Sequence, residues 1–157
     1  MKEVFGDLFT TIKSPAYSGF CITTNGFVKN NGNAVMGRGI ALEIQKYFPN
    51  IPATLGNAIK LHGNHTHLIR ITDNFGPHSN GTCKAIYSFP VKHNWWEEAD
   101  IDLIKRSCRE LLDYLLPFDR ILLPRPGCGN GKLDWQTQVK PVIEPILDDR
   151  VHIITWR

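Results

Sequence analysis

The sequence predicts an α/β protein, a three-layer α/β/α sandwich around a mixed central sheet. Three observations point there. Apolar, β-branched runs alternate with stretches of helical spacing along all 157 residues, the pattern of layered α/β folds. Two of those runs lead through glycine-rich turns into helices, an arrangement that sets ligand loops outside the strand ends. No shift in composition marks a linker and no repeat is present, so residues 1–157 read as one domain.

The elements follow in order. Strands are predicted near residues 2–6 and at 19–24. A helix opens after Gly37 and Gly39 and runs to about Phe48, where Pro49 and Pro52 end it. A short helix covers 52–61. Leu68–Thr72 and Ala85–Phe89 read as a hairpin around the turn-rich Asp73–Thr82. Between Asp100 and Leu116, the residues Ile101, Ile104, Cys108, Leu111, Leu112 and Leu115 recur at helical spacing. Arg120–Leu123 is a buried strand, and Trp135–Leu147 reads as a helix that admits Pro141 only with a kinked first turn or a start near that residue. Val151–Trp156 forms the last strand.

With 42% hydrophobic and 21% charged residues, the composition excludes a disordered or fibrous chain. The longest apolar runs fall far short of the roughly 20 residues a bilayer-crossing helix needs. The N-terminus lacks the apolar core of a signal peptide, and Cys21, Cys83, Cys108 and Cys128 show no C-x-x-C spacing. A cytoplasmic setting is therefore expected. The net charge of +3 favours an anionic ligand without amounting to a dedicated nucleic-acid surface.

The chemistry concentrates in two loops. Gly37 and Gly39 follow the strand at 19–24 and open a helix, so backbone N–H groups approach an anion free of Cβ interference and the helix adds its positive end. The segment Leu122-Leu123-Pro124-Arg125-Pro126-Gly127-Cys128-Gly129-Asn130-Gly131 repeats the plan. Two such loops can grip a diphosphate from both sides. Neither is a phosphate loop of the G-x-x-x-x-G-K-[ST] kind, and Gly37-x-Gly39 lacks the third glycine of a dinucleotide fingerprint.

Four segments in order, Gly6-Asp7-Leu8-Phe9, Met36-Gly37-Arg38-Gly39-Ile40-Ala41, Phe89-Pro90-Val91-Lys92 and Leu123-Pro124-Arg125-Pro126-Gly127-Cys128-Gly129 through Leu133-Asp134-Trp135, span nearly the whole chain. Together they resemble a macrodomain, of the branch that includes terminal ADP-ribose protein glycohydrolase and the bacterial antitoxin that removes ADP-ribose from DNA. The resemblance implies ADP-ribose as ligand or product, an ADP-ribosylated DNA or protein as partner, a monomer, and no metal or other cofactor. It implies that Asp7, beside Leu8, accepts a hydrogen bond from the adenine amine, as a carboxylate can. Val35, Met36, Gly37, Arg38, Gly39 and Ile40 would embrace the diphosphate and distal ribose. Pro124, Gly127, Cys128, Gly129, Asn130 and Gly131 would close from the other side, and Asn25 and Asn33 would lie near the distal ribose.

By the same resemblance Lys92 is the catalytic residue, attacking the anomeric carbon of the distal ribose. An ordinary lysine is protonated at neutral pH, so this role requires partial burial or a neighbouring cation. The sequence also departs from the pattern. Protein-directed members carry an aspartate two places after Gly-Cys-Gly, and Gly131 stands there. Asp134 reads as a helix cap rather than a substitute. The DNA-directed branch also tends to have glycine at this place.

Other features weigh less. His62, His65 and His67 sit in a turn-rich stretch without carboxylates or thiolates, so a metal is not expected. Cys128 lacks a recognisable catalytic partner. Trp95 and Trp96 could stack nucleic-acid bases or pack on the 100–116 helix. Three activities follow from the resemblance: an ADP-ribosyl hydrolase first, then an ADP-ribose 1''-phosphate phosphatase or a non-catalytic ADP-ribose reader.

Overall fold

The computed structural model describes residues 1–73, 75 and 83–156. Six strands form one sheet: β1 (Lys2–Phe5), β2 (Gly19–Asn25), β3 (Leu68–Thr72), β4 (Lys84–Lys92), β5 (Ile121–Pro124) and β6 (Val151–Thr155). Their spatial order is β1-β6-β5-β2-β4-β3. β1, β6, β5, β2 and β4 run parallel, and β3 pairs antiparallel with β4. The central parallel strands are covered on both faces, which accounts for their near-continuous apolar sequences.

Strand alternation sorts side chains into two cores. Phe20, Ile22, Ile86, Leu122 and Ile154 pack against the layer of α1 (Leu8–Thr11), α2 (Ile40–Tyr47) and α3 (Ile51–His62). Cys21, Tyr87, Phe89, Leu123 and Ile153 pack on the opposite face, against α4 (Ile101–Tyr114) and α5 (Lys140–Ile143). Each fully buried aliphatic or aromatic side chain contributes about 1.5–3 kcal/mol. A one-residue slip of β2 would exchange its two faces, so register is strongly specified. The three-layer mixed-sheet expectation holds.

The α4 helix shows how locally this is encoded. Asp100 caps it by accepting from Asp102 N at 2.9 Å and Leu103 N at 3.4 Å. Leu103, Ile104, Ser107, Cys108 and Leu111 form its buried stripe, and Ser107 Oγ donates to Pro90 O at 2.7 Å.

Three elements differ from expectation. The short α1 was not foreseen; Asp7 caps it, accepting from Thr10 N at 2.9 Å and Thr10 Oγ1 at 2.8 Å. β4 begins at Lys84 and continues through Pro90 to Lys92. Its pairing with β3 ends at Tyr87, while β2 accompanies it to Lys92, so Pro90 stands where one flank has no strand partner. The helix expected over 135–147 is a π-turn, Trp135–Val139, followed by the short α5. Pro141 has no N–H to offer Thr137, and the preceding turn widens. The hairpin pairing of 68–72 with the following strand is present, but residues 74 and 76–82 of its turn lie outside the described residues. No described helix is long and apolar enough to cross a membrane.

Candidate functional site

The carboxyl ends of β2, β4 and β5 open into a cleft of about 820 Å³, within reach of Thr24, Lys92 and Pro124 respectively. That volume suits a nucleotide-sized ligand. One wall is the loop between β2 and α2. Gly37 and Gly39 take φ of 64° and 69°, a left-handed backbone that side-chain-bearing residues adopt at a cost. A Cβ on either would point into open space, so the backbone itself faces the cleft. The first N–H groups of α2 have no partner within the helix and stand at this wall.

Asn25 organises that loop. Its Nδ2 donates to Val35 O at 2.9 Å, and its Oδ1 accepts from Phe27 N at 3.0 Å. Gly26 N donates to His93 O at 3.0 Å, tying the loop to the end of β4. The buried Asn25 thus holds Val35 in place at the cleft wall.

The opposite wall is the loop after β5. Leu133 N donates to Gly127 O at 2.9 Å and Lys132 N to Gly129 O at 3.1 Å, curling the chain into a cradle. Lys132 adopts φ of 64°, a strained backbone for a non-glycine residue and one that often marks a working site. Gly131 is buried. A Cβ there would lie 2.4 Å from Gly127 O and 2.7 Å from Ala99 Cβ, so this loop shape has no room for an aspartate. The absent carboxylate is a packing requirement of the cradle.

Between the walls stands Lys92. Its Nζ donates to Asn130 O at 3.2 Å. Its pKa is lowered, first by burial and then by the charge of Lys132, so both conditions for a reactive amine are present. The same cleft is lined by the cations Arg38, Arg125 and Lys132 and by the carboxylates Glu97 and Glu98. Arg125 is fixed from behind: its Nη2 lies 3.4 Å from Glu3 Oε1, and its guanidinium lies over the Trp135 ring at 5.0 Å. Glu3 also accepts from Lys140 Nζ at 2.7 Å and Trp135 Nε1 at 2.9 Å. These bonds, that from Lys140 foremost, hold its carboxyl below the usual range.

Of the residues anticipated at the site, Asn25, Val35, Met36, Gly37, Arg38, Gly39, Ile40, Lys92, Pro124, Gly127, Gly129, Asn130 and Gly131 line this cleft. Asp7, Leu8, Asn33 and Cys128 do not. Asp7 Oδ2 caps α1, Leu8 is buried in the core beside it, and Asn33 N bonds Asn31 Oδ1 within its own loop. Cys128 Sγ donates to Pro126 O at 3.5 Å, and burial pushes its thiol up to about 11, away from a nucleophilic thiolate. Asp134 caps the π-turn through Thr137 N and Oγ1. His65 pairs with Glu110 at 2.8 Å and His67 Nε2 lies 2.9 Å from Gly63 O. Among the described residues no three His, Cys, Asp or Glu side chains gather as metal ligands.

Sequence reasoning missed Thr23, Thr24, Arg125, Lys132, Glu97 and Glu98 as cleft residues. The one local signal was that Arg125 and Lys132 flank the glycine-rich run, which does not by itself place either at the cleft.

No family model matches the chain. A DNA ADP-ribosyl glycohydrolase of Thermus aquaticus is 27% identical over 128 residues, which is 80% of this chain and 34% of that protein. The chain thus spans about a third of that relative's length. Among solved structures, Thermosipho africanus DarTG in complex with ADP-ribose superposes with a TM-score of 0.72 at 17% identity, over 100% of this chain and 42% of that one. The macrodomain of Mycobacterium tuberculosis DarG gives 0.69 at 21% identity, covering 98% and 95% of the two chains. That of Thermus aquaticus DarG gives 0.66 at 24%, covering 99% and 97%. The likeness to these solved structures extends over nearly the whole chain and shows that it has the macrodomain fold.

Proposed function

We propose that the cleft binds ADP-ribose and that the protein is an ADP-ribosyl hydrolase acting on ADP-ribosylated DNA, with Lys92 as its nucleophile. The observation that carries this reading is the placement of Lys92. It stands between two backbone-lined walls suited to a diphosphate, with burial and Lys132 both favouring its neutral amine. The relative that acts on ADP-ribosylated DNA supports the choice of substrate.

The chemistry follows from that placement. Neutral Lys92 Nζ attacks C1'' of the distal ribose, and the bond from C1'' to the base breaks with its electron pair leaving on the base. The proton released by the new C–N bond neutralises the leaving base. Opening of the ribose to an imine and addition of water then regenerate the amine and release ADP-ribose. Binding of the distant adenosine diphosphate supplies the orientation. No aspartate assists from position 131, so the amine itself carries the proton.

Incubation with an ADP-ribosylated single-stranded oligonucleotide tests this reading. Lys92→Ala should slow release of ADP-ribose by about 100-fold or more, the usual weight of a positioned proton-transferring side chain. Borohydride should trap a covalent adduct on the native protein and none on the variant. Release by Lys92→Ala at the native rate would overturn the mechanism. Calorimetric binding of ADP-ribose without turnover would instead select a reader, the alternative favoured by the closed space at Gly131.

A further inference from the structure

Two tryptophans at the mouth of the cleft have no part in the chemistry above. Trp95 and Trp96 are 51% and 59% exposed, large apolar areas to leave in water without a purpose. They form a connected aromatic lip: Trp95 and Trp96 meet edge to face at 5.4 Å, and Trp96 meets Phe27 of the opposite loop at 5.6 Å. Both tryptophans line the same cleft as Lys92.

The turn that carries them is preorganised. Lys92 O accepts from Asn64 Nδ2 at 3.0 Å and His93 O from Gly26 N at 3.0 Å. His93 Nε2 lies 2.8 Å from Asp100 Oδ2, and Glu97 N donates to Asn94 O at 3.2 Å. Because the turn is already ordered, a planar group stacking on its rings has no backbone left to immobilise.

We propose that Trp95 and Trp96 are a stacking platform for the nucleobase that carries the ADP-ribose, a platform that favours an unpaired base over a duplex. The inference rests on the functional reading above. If C1'' of the distal ribose sits at Lys92, the group bonded to it must leave toward the mouth of the cleft, where these rings stand. Recognition there is by base planes more than by phosphates. Glu97 and Glu98 share the lip, and their charges oppose a closely held phosphate backbone. Base–aromatic stacking tolerates sequence and requires unpaired bases, so a duplex is a poor occupant.

The test uses the Lys92→Ala protein, which separates binding from turnover. Dissociation constants are measured for free ADP-ribose, for an ADP-ribosylated single-stranded oligonucleotide and for an ADP-ribosylated glutamyl peptide. The platform predicts that the oligonucleotide binds about tenfold tighter than ADP-ribose, in line with stacking of one base. Adding Trp95→Ala and Trp96→Ala together should erase that advantage, and Trp95→Phe with Trp96→Phe should keep most of it. An advantage unchanged by the alanine pair, or one shown by the peptide in place of the oligonucleotide, overturns the platform while leaving the ADP-ribose site intact. Failure of the Lys92→Ala protein to bind any of the three overturns the site reading, and the platform with it.

Discussion

At the scale of single residues, the proposed chemistry depends on one amine and its surroundings. Burial and the neighbouring charge of Lys132 both lower the pKa of Lys92. Removing Lys132 takes away a charge that disfavours the ammonium, so the Lys92 pKa must rise. The pH profile of kcat/KM should then shift its rising limb to higher pH in Lys132→Asn, a substitution that tolerates the left-handed backbone. A profile unmoved by that change would show that the limb belongs to another group. The role of Lys92 was implied by the family resemblance alone, while its place at the end of a strand was legible in the sequence. Lys132 was not, since its proximity to Lys92 arises only when residues 40 positions apart in sequence fold together. Asp7 carries a role the motif did not announce: its Oδ2 accepts from Thr10 as the cap of α1.

At the scale of elements, the two glycine loops do different work. The loop before α2 presents open backbone, and its glycines were legible because left-handed turns select them. The loop after β5 is a packed cradle, and only the structure shows that Gly131 is closed against Gly127 O and Ala99. Gly131→Asp should therefore fail to install an acid. It should destabilise the fold by about 1–3 kcal/mol, the cost of overpacking a filled site, measurable as a lower midpoint in urea. A variant with native stability and raised hydrolysis would refute the packing account. The π-turn at Trp135–Val139 was hidden for a related reason. Helical periodicity was present over 135–147, and Pro141 announced a disturbance without saying whether the chain would kink, restart or widen.

At the scale of the whole molecule, order and layering were the most legible features, because alternation and helical spacing report which faces are buried. Pairing was less so: the sheet places β2 between β5 and β4, and nothing local in those segments names a partner 60 or 100 residues away. That arrangement also has a kinetic meaning. The cleft exists only when the ends of β2, β4 and β5 stand side by side, so a ligand held by all three cannot bind a partly assembled sheet. ADP-ribose should slow unfolding while leaving the refolding rate unchanged, as an interaction formed late in folding does. Stopped-flow fluorescence with and without ligand would reveal this as a displaced unfolding arm alone, and a faster refolding arm would mean that the three strand ends meet before the rate-limiting step.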